Sequence, residues 1–115
     1  RAPGLVEGTH APCPGSPNCV SSEDGTPRAE RVRPLARDAW DKLPAAIAAL
    51  GGTVTQQGPD YIAAEFASPT FGFVDDLELR RGEDAVHLRS AARVGYSDNG
   101  VNAARLADLR ARLGG

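Results

Sequence analysis

The chain has 115 residues, of which 41% are hydrophobic and 24% charged, a composition typical of one globular domain with a single modest core. Its formal net charge of −2 predicts no basic surface, so we expect no nucleic-acid partner. No apolar run approaches the roughly 20 residues that a membrane helix needs, and we expect no transmembrane segment in this chain.

Residues 1–36 are predicted to form an irregular strap. Six of the nine prolines and four glycines fall in this segment. Proline lacks a backbone donor and glycine lacks conformational restraint, so neither a helix nor a central strand is expected here. Apolar residues are few, and the strap therefore needs another anchor. We divide the chain into this strap and a core of residues 37–115, which together form one domain.

Two cysteines in the strap supply a possible anchor. Cys13 and Cys19 enclose the short stretch PGSPN. A disulfide between them would close a small ring and stabilise the fold by about 2 kcal/mol in the chain-entropy model. The alternatives are free thiols or a metal site formed by His10, Cys13 and Cys19, because thiolates and an imidazole suit zinc or copper. Paired cysteines in zinc sites usually lie closer in sequence, which favours the disulfide.

The cysteines also bear on the compartment. A disulfide implies an oxidising environment outside the cytosol. The chain begins at Arg1 and contains no methionine, so we expect a processed or trimmed product, from which a signal peptide or lipid anchor upstream could have been removed. Together these features predict an exported protein that is periplasmic or associated with the cell envelope.

The core opens with a predicted helix. Apolar residues recur at helical spacing from about residue 38 to 50, Asp38 is a good N-cap, and Gly51-Gly52 end the pattern. Pro44 does not fit a helix interior, because it removes a hydrogen bond and clashes with the preceding turn. Either the helix kinks there, or its regular part begins near Lys42.

Four strands and a second helix are expected after this. The spacing predicts α-β-β-β-β-α, an α+β fold in which two helices pack on one face of a four-stranded antiparallel sheet. The other face is charged, and it would be open to water or a partner unless the strap crosses it. The predicted strands cover residues 53–57, 61–67, 73–81 and 85–94, and the second helix covers residues 100–113.

Apolar and charged residues alternate along much of the last two predicted strands. Asp75 and Asp76 are adjacent, and adjacent side chains on a strand point to opposite faces, so the two carboxylates do not form a catalytic dyad. Asp76 and Glu78 share a face with Arg89 and Arg93. Cross-strand ion pairing is the simplest interpretation of that face.

Further polar groups converge where the last strand meets the second helix. Asp75 shares the helix-covered face and needs a partner, for which Arg105 or the backbone amides of residues 97–99 are candidates. Asn102 lies on the apolar stripe of the helix. The connector RVGYSDNGVN, residues 93–102, is therefore either a well-capped turn or a pocket for a small polar or anionic ligand at a helix N-terminus. The ligand-binding candidates are Asp75, Asp76, Arg89, Arg93, Ser97, Asp98, Asn102 and Arg105.

Three segments carry a family resemblance: CPGSPNCV at 13–20, FGFVDD at 71–76 and RSAARVGYSDNGVNAAR at 89–105. In combination and order they resemble the domain of unknown function 1499 family of bacteria and plastid-bearing eukaryotes. The resemblance implies a small exported, envelope-associated or plastid protein, and it supplies no catalytic residue. The matching positions are Cys13, Pro14, Asn18, Cys19, Asp75, Asp76, Arg89, Ser90, Arg93, Gly95, Ser97, Asp98, Gly100 and Asn102.

Two positions depart from the family pattern. Ala92 stands where a serine is usual, and Ala103 stands where an arginine is usual. A mechanism that needs a hydroxyl or a guanidinium at these positions is therefore not expected in this chain.

These observations lead to three hypotheses. The leading one is a non-enzymatic exported domain that acts as a binding or assembly module at the cell envelope, without a cofactor and with an unknown envelope protein or a small polar ligand as partner. The first alternative is a ligand-binding protein or enzyme, in which a carboxylate serves as base and an arginine holds an anionic group. The second is the metal site of the strap. The pocket of the first alternative comprises Asp75, Arg93, Asp98, Asn102 and Arg105.

Overall fold

The computed structural model describes residues 2–68, 72–95 and 97–114. Phe71 of the FGFVDD segment and Tyr96 of the connector lie outside the described residues. Two α-helices and eight strands are described, besides 3-10 helices at Arg28–Glu30 and Arg37–Lys42. In chain order these are β1 (Leu5–Val6), β2 (Thr9–His10), β3 (Cys19–Ser21), β4 (Leu35–Ala36), α1 (Leu43–Ala49), β5 (Thr53–Gln57), β6 (Tyr61–Ala67), β7 (Val74–Arg81), β8 (Ala85–Ala92) and α2 (Val101–Arg112).

The main sheet has six strands, so the prediction of four is wrong. Its order is β3-β8-β7-β6-β5, with β4 also paired to β8, and the pairs are antiparallel. Both additional strands come from the strap, and they share the edge of β8 that β7 leaves free. Strands this short carry no readable alternation, which is why the pattern did not reveal them. A separate hairpin of β1 and β2 completes the strap.

The expected helices are present, and the position of Pro44 is explained. A 3-10 helix over Arg37–Lys42 leads into α1, so Pro44 falls in the first α-helical turn. A proline there costs no hydrogen bond, because the first amides of a helix have no partner within it. Of the two interpretations of Pro44, a regular helix that begins near Lys42 is confirmed.

The hydrophobic core lies between the two helices and one face of the sheet. It joins Leu43 and Ile47 of α1, Leu109 of α2, and the inward side chains Leu79 of β7 and Leu88 of β8, all at most 1% exposed. The mixed α and β architecture with two helices and antiparallel sheets is thereby confirmed. Within the described ranges, no helix has the length and apolar character needed to cross a membrane.

The second face of the sheet is covered by the strap. In β7 four consecutive residues, Asp76–Leu79, are buried, where a sheet with one open face would show alternation. The Gly4 amide donates a hydrogen bond to Glu78 Oε1 over 3.1 Å, and Arg89 Nη2 donates one to the Pro12 carbonyl over 3.4 Å. The strap therefore crosses the charged face, which we call the strap-side face.

Charged and polar groups pair within this covered layer. Arg80 donates two hydrogen bonds of 2.7 Å each to Glu23, a bidentate pair. Tyr61 donates its hydroxyl to Glu78 Oε1 over 2.6 Å. Burial raises the pKa of Glu78, against the hydrogen bond from Tyr61. Burial also would raise the pKa of Glu23, but the hydrogen bonds from Arg80 and from the His10 amide outweigh it and lower that pKa to about 2.

His10 is held neutral at the centre of this layer. The residue is 3% exposed, and its Nε2 donates to the His87 carbonyl over 3.1 Å. Its Nδ1 has no hydrogen-bond partner among the described residues, so protonation there gains no acceptor. Burial lowers the pKa of His10 to about 4, against the carbonyl of His87 and the charge of Glu23, while the charges of Arg80 and Arg89 reinforce the lowering.

We predict a loss of stability on acidification that depends on His10. Between pH 6.5 and about 4 the unfolded chain binds a proton that folded His10 does not, so this contribution is complete above pH 6.5 and is lost as the pH falls. The shift corresponds to about 3 kcal/mol. Chemical denaturation across this range should show a steeper decline for the wild type than for His10→Gln.

The difference between the two proteins is the informative quantity. Glu78, with its raised pKa, gains stability on protonation and acts in the opposite sense, but it is present in both. Asp24→Asn is a suitable control, because the Asp24 side chain is 98% exposed. Parallel pH profiles for the wild type and His10→Gln would contradict the assignment.

Candidate functional site

The structure divides the eight candidate residues between the two faces of the sheet. One group lies on the strap-side face, and the other lies where β7 begins, β8 ends and α2 begins. The strap-side group is Asp76, Arg89 and Arg93; the sheet-end group is Asp75, Ser97, Asp98, Asn102 and Arg105.

The strap-side group forms ion pairs. Arg93 donates to both oxygens of Asp76 over 2.7 and 2.8 Å and to Glu65 over 2.8 Å. Arg89 Nη1 lies 3.6 Å from Glu78 Oε2. Arg93, which follows β8, is held by these hydrogen bonds on the side of Asp76 and does not line the pocket proposed around Asp75.

At the sheet end, Asp75 pairs with Arg105. Arg105 Nη1 donates to Asp75 Oδ2 over 2.7 Å, and the guanidinium carbon lies 4.4 Å from the centre of the Phe66 ring. The side chains of Asp75 and Arg105 remain 14% and 17% exposed. Of the two partners considered for this inward carboxylate, the structure selects the arginine.

Asn102 joins this pair to the rest of the connector. It is 0% exposed, and its Oδ1 accepts hydrogen bonds from Ser90 Oγ over 2.6 Å and from Arg105 Nη1 over 3.2 Å. Its Nδ2 donates to Asp98 Oδ2 over 2.7 Å and to the Asn18 carbonyl over 3.4 Å. Both donor hydrogens and both acceptor lone pairs of the carboxamide are used.

Asp98 caps α2 with its carboxylate. Its Oδ1 accepts from the Gly100 amide over 2.8 Å, and its Oδ2 accepts from the Asn102 amide over 3.0 Å. Gly100 has φ of 79°, a left-handed conformation that favours glycine. Burial opposes ionisation of Asp98, but the hydrogen bonds from Asn102 and Gly100 outweigh it and lower its pKa. An anion at this helix N-terminus would have to displace the carboxylate, which disfavours the anionic ligand considered from the sequence.

A cavity opens beside these groups, and we call it the sheet-end pocket. It has a volume of about 490 Å³, within the usual range of ligand sites. Asp75 and Arg105 line it, together with Ser97 and Asp98. Its apolar lining includes Phe73, Val94 and Val101, which are 57%, 61% and 45% exposed.

Asn18 connects the disulfide loop to this pocket. This role is not among those predicted from the sequence. Its Nδ2 donates to the Gly95 carbonyl over 2.6 Å, and its carbonyl accepts from the Ala92 amide over 3.0 Å. The adjacent Cys19 forms a disulfide with Cys13, with sulfurs 2.05 Å apart. The one signal available was the position of Asn18 inside the CPGSPNC motif.

The disulfide removes the metal alternative of the strap. Bonded cysteines present no thiolate, so Cys13 and Cys19 cannot join His10 as ligands. His10 Nε2 is directed instead to the His87 carbonyl. Among the residues with described placement, no group of three or more His, Cys, Asp or Glu is arranged to hold a metal ion.

Comparison with known families agrees with the motif pattern. A family profile described as protein of unknown function (DUF1499) matches residues 10–113, nearly the whole chain. The chain belongs to the DUF1499 family. Neither the comparison with curated proteins nor the comparison with solved structures gave a match.

The DUF1499 motif segments meet at the sheet-end pocket. The first contributes Asn18, the second Asp75, and the third Ser90 and Asn102, residues far apart in sequence that are joined by hydrogen bonds here. Ala92, one of the two departures from the family pattern, lines the pocket, so this DUF1499 chain has an apolar group at that point.

We predict that Asn102→Ala destabilises the fold by about 3 kcal/mol, because the buried partners of the carboxamide each lose a hydrogen bond at a cost of about 1–3 kcal/mol. Arg112→Ala, at an exposed position of the same helix, is the control and should change stability by less than about 0.5 kcal/mol. Urea denaturation measures both. Equal stability of the two variants would contradict the conclusion that the hydrogen bonds of Asn102 hold these segments together.

We also predict that reduction of the Cys13-Cys19 disulfide loosens the pocket locally. Without the closed ring, Asn18 is less restrained, and the Ala92 amide that donates to it should exchange its hydrogen faster. The neighbouring Arg93 amide donates to the Val74 carbonyl and provides the matched internal control. Hydrogen exchange followed by NMR would measure both.

Asn18→Ala with the disulfide intact should reproduce the effect at Ala92. An equal rise in exchange at Ala92, at Arg93 and in β6 would indicate global destabilisation and would contradict local coupling.

Proposed function

We propose that this DUF1499 domain is a non-enzymatic, exported binding module of the cell envelope, and that its partner binds in the sheet-end pocket. The observation that carries the proposal is the distribution of exposed apolar side chains. Of the five large hydrophobic side chains exposed in the described ranges, Phe73, Val94 and Val101 line this one cavity. Apolar residues gathered around a concave site are typical of a binding surface.

The polar groups of the pocket favour binding over catalysis. Asp75 is paired with Arg105, and Asp98 accepts hydrogen bonds from the helix it caps. The histidines lie on the opposite side of the sheet, where His10 belongs to the strap and His87 contacts the strap at His10 and Ser22. One serine in the described part of the chain is paired with a base, since Ser22 Oγ lies 3.1 Å from His87 Nδ1. Neither residue lines the pocket, and Ser22 is 3% exposed, so this pair does not present a nucleophile to a ligand there.

The disulfide supports export. A bond between Cys13 and Cys19 persists in oxidising compartments, whereas cytosolic thiols are kept reduced. In this chain the bonded loop also holds Asn18, which contacts the pocket connector at Gly95. A pocket whose connector contacts a disulfide-bonded loop suits a protein that works outside the cytosol.

The proposal is tested by photo-crosslinking in the protein's own host. A photoreactive benzoylphenylalanine replaces Val94 at the pocket, or Val6 on the β1 hairpin as a matched control at an exposed position. In the full-length protein, the probe at position 94 should give a discrete adduct in the envelope fraction. That adduct should be reduced about tenfold by Phe73→Ser, because the apolar contact is lost.

The outcomes separate the alternatives. An adduct of small mass would indicate a small-molecule ligand. It would support the binding function and contradict a role in assembly. No adduct at position 94, or the same adduct from positions 94 and 6, would contradict the binding function. Recovery of the protein in the cytosolic fraction would contradict export.

A further inference from the structure

The floor of the sheet-end pocket has unused hydrogen-bonding capacity. Asp75 Oδ2 and Arg105 Nη1 are joined over 2.7 Å. Asp75 Oδ1 and Arg105 Nη2 have no hydrogen-bond partner among residues 2–68, 72–95 and 97–114, and both side chains line the cavity. An acceptor and a donor are thus presented together at a partly exposed position.

The charges of the floor disfavour a ligand with a single charge. A carboxylate drawn to Arg105 would meet the charge of Asp75, and an ammonium drawn to Asp75 would meet the charge of Arg105. Asp98 adds little attraction for a cation, because its oxygens accept from the Gly100 and Asn102 amides and from the Asn102 side chain. The floor is therefore complementary to a neutral group that has both a donor and an acceptor.

An extended polypeptide presents that combination. In an extended strand the N–H and the C=O of one residue point to the same side, as in the paired residues of an antiparallel ladder. One residue can therefore donate to Asp75 Oδ1 and accept from Arg105 Nη2. The rim of Phe73, Val94 and Val101 is suited to an apolar side chain beside that residue.

We propose that the sheet-end pocket binds an extended segment of another polypeptide, with one backbone amide and carbonyl on Asp75 and Arg105 and an apolar side chain against Phe73, Val94 and Val101. This inference rests on the proposed binding function and specifies its partner. The carboxylate of an ionised fatty acid is only an acceptor and the ammonium of an alkylamine is only a donor, so neither offers the paired donor and acceptor of a peptide.

The first test is selection from a displayed library of random linear peptides on the oxidised wild-type protein. Selected peptides should bind the wild type and Leu5→Ser alike, since Leu5 lies on the β1 hairpin. They should bind Phe73→Ser and Val94→Ser about tenfold more weakly or worse. The three replaced side chains are at least 40% exposed, so the variants are expected to fold, and thermal melts check this.

The second test leaves the protein unchanged. Each backbone amide of one selected peptide is N-methylated in turn, which removes a donor. Methylation at one position should weaken binding about tenfold or more, because a hydrogen bond to a carboxylate is lost. Equal affinity for all the methylated peptides would overturn the assignment of the floor.

Failure of this inference is distinguishable from failure of the binding function. If no peptide that depends on Phe73 and Val94 is selected, while photo-crosslinking at position 94 gives a non-peptide adduct, the pocket binds another class of ligand and the peptide inference is wrong. If neither experiment detects binding that depends on Phe73, both proposals are wrong.

Discussion

The buried carboxamide of Asn102 is the interaction on which the arrangement of the site depends. It forms hydrogen bonds with Ser90 of β8, Asp98 of the connector, Arg105 of α2 and the carbonyl of Asn18 in the strap. A carboxamide enclosed at 0% exposure must satisfy its donors and acceptors within the protein, because unpaired polar groups in an interior are costly. The strap, the sheet and the second helix are thereby fixed relative to one another at the edge of the pocket.

The strap-side face also buries polar groups, but these are charged and are stabilised by ion pairs. Glu78, Asp76 and Arg89 are at most 9% exposed, so the strap buries charges as well as apolar atoms. Pairing and hydrogen bonds offset part of the desolvation cost, and such layers contribute specificity more reliably than stability. A disulfide in the middle of the strap limits the entropy that the chain loses when the strap folds onto this face.

Local patterns were sufficient for the helices, the four long strands and the inward position of Asp75, because each depends on a period or parity within one segment. The strap strands at Cys19–Ser21 and Leu35–Ala36 were not predictable, since they exist only through pairing with β8. Contacts between segments also decide which of the two candidate partners pairs with Asp75, so the choice of Arg105 was not predictable from the sequence. For the same reason, the predicted position of Arg93 at the pocket is wrong. The cavity itself is a property of three assembled segments.

The most direct test of this account is hydrogen exchange of the Asn102 side-chain carboxamide, measured by NMR on the oxidised protein. Asn99, which is exposed in the same connector, provides the internal reference. The account predicts that the Asn102 amide protons exchange far more slowly than those of Asn99 and that this protection decreases on reduction of the disulfide. Exchange of Asn102 at the rate of Asn99 in the oxidised protein would contradict the buried junction, and with it the preorganised pocket.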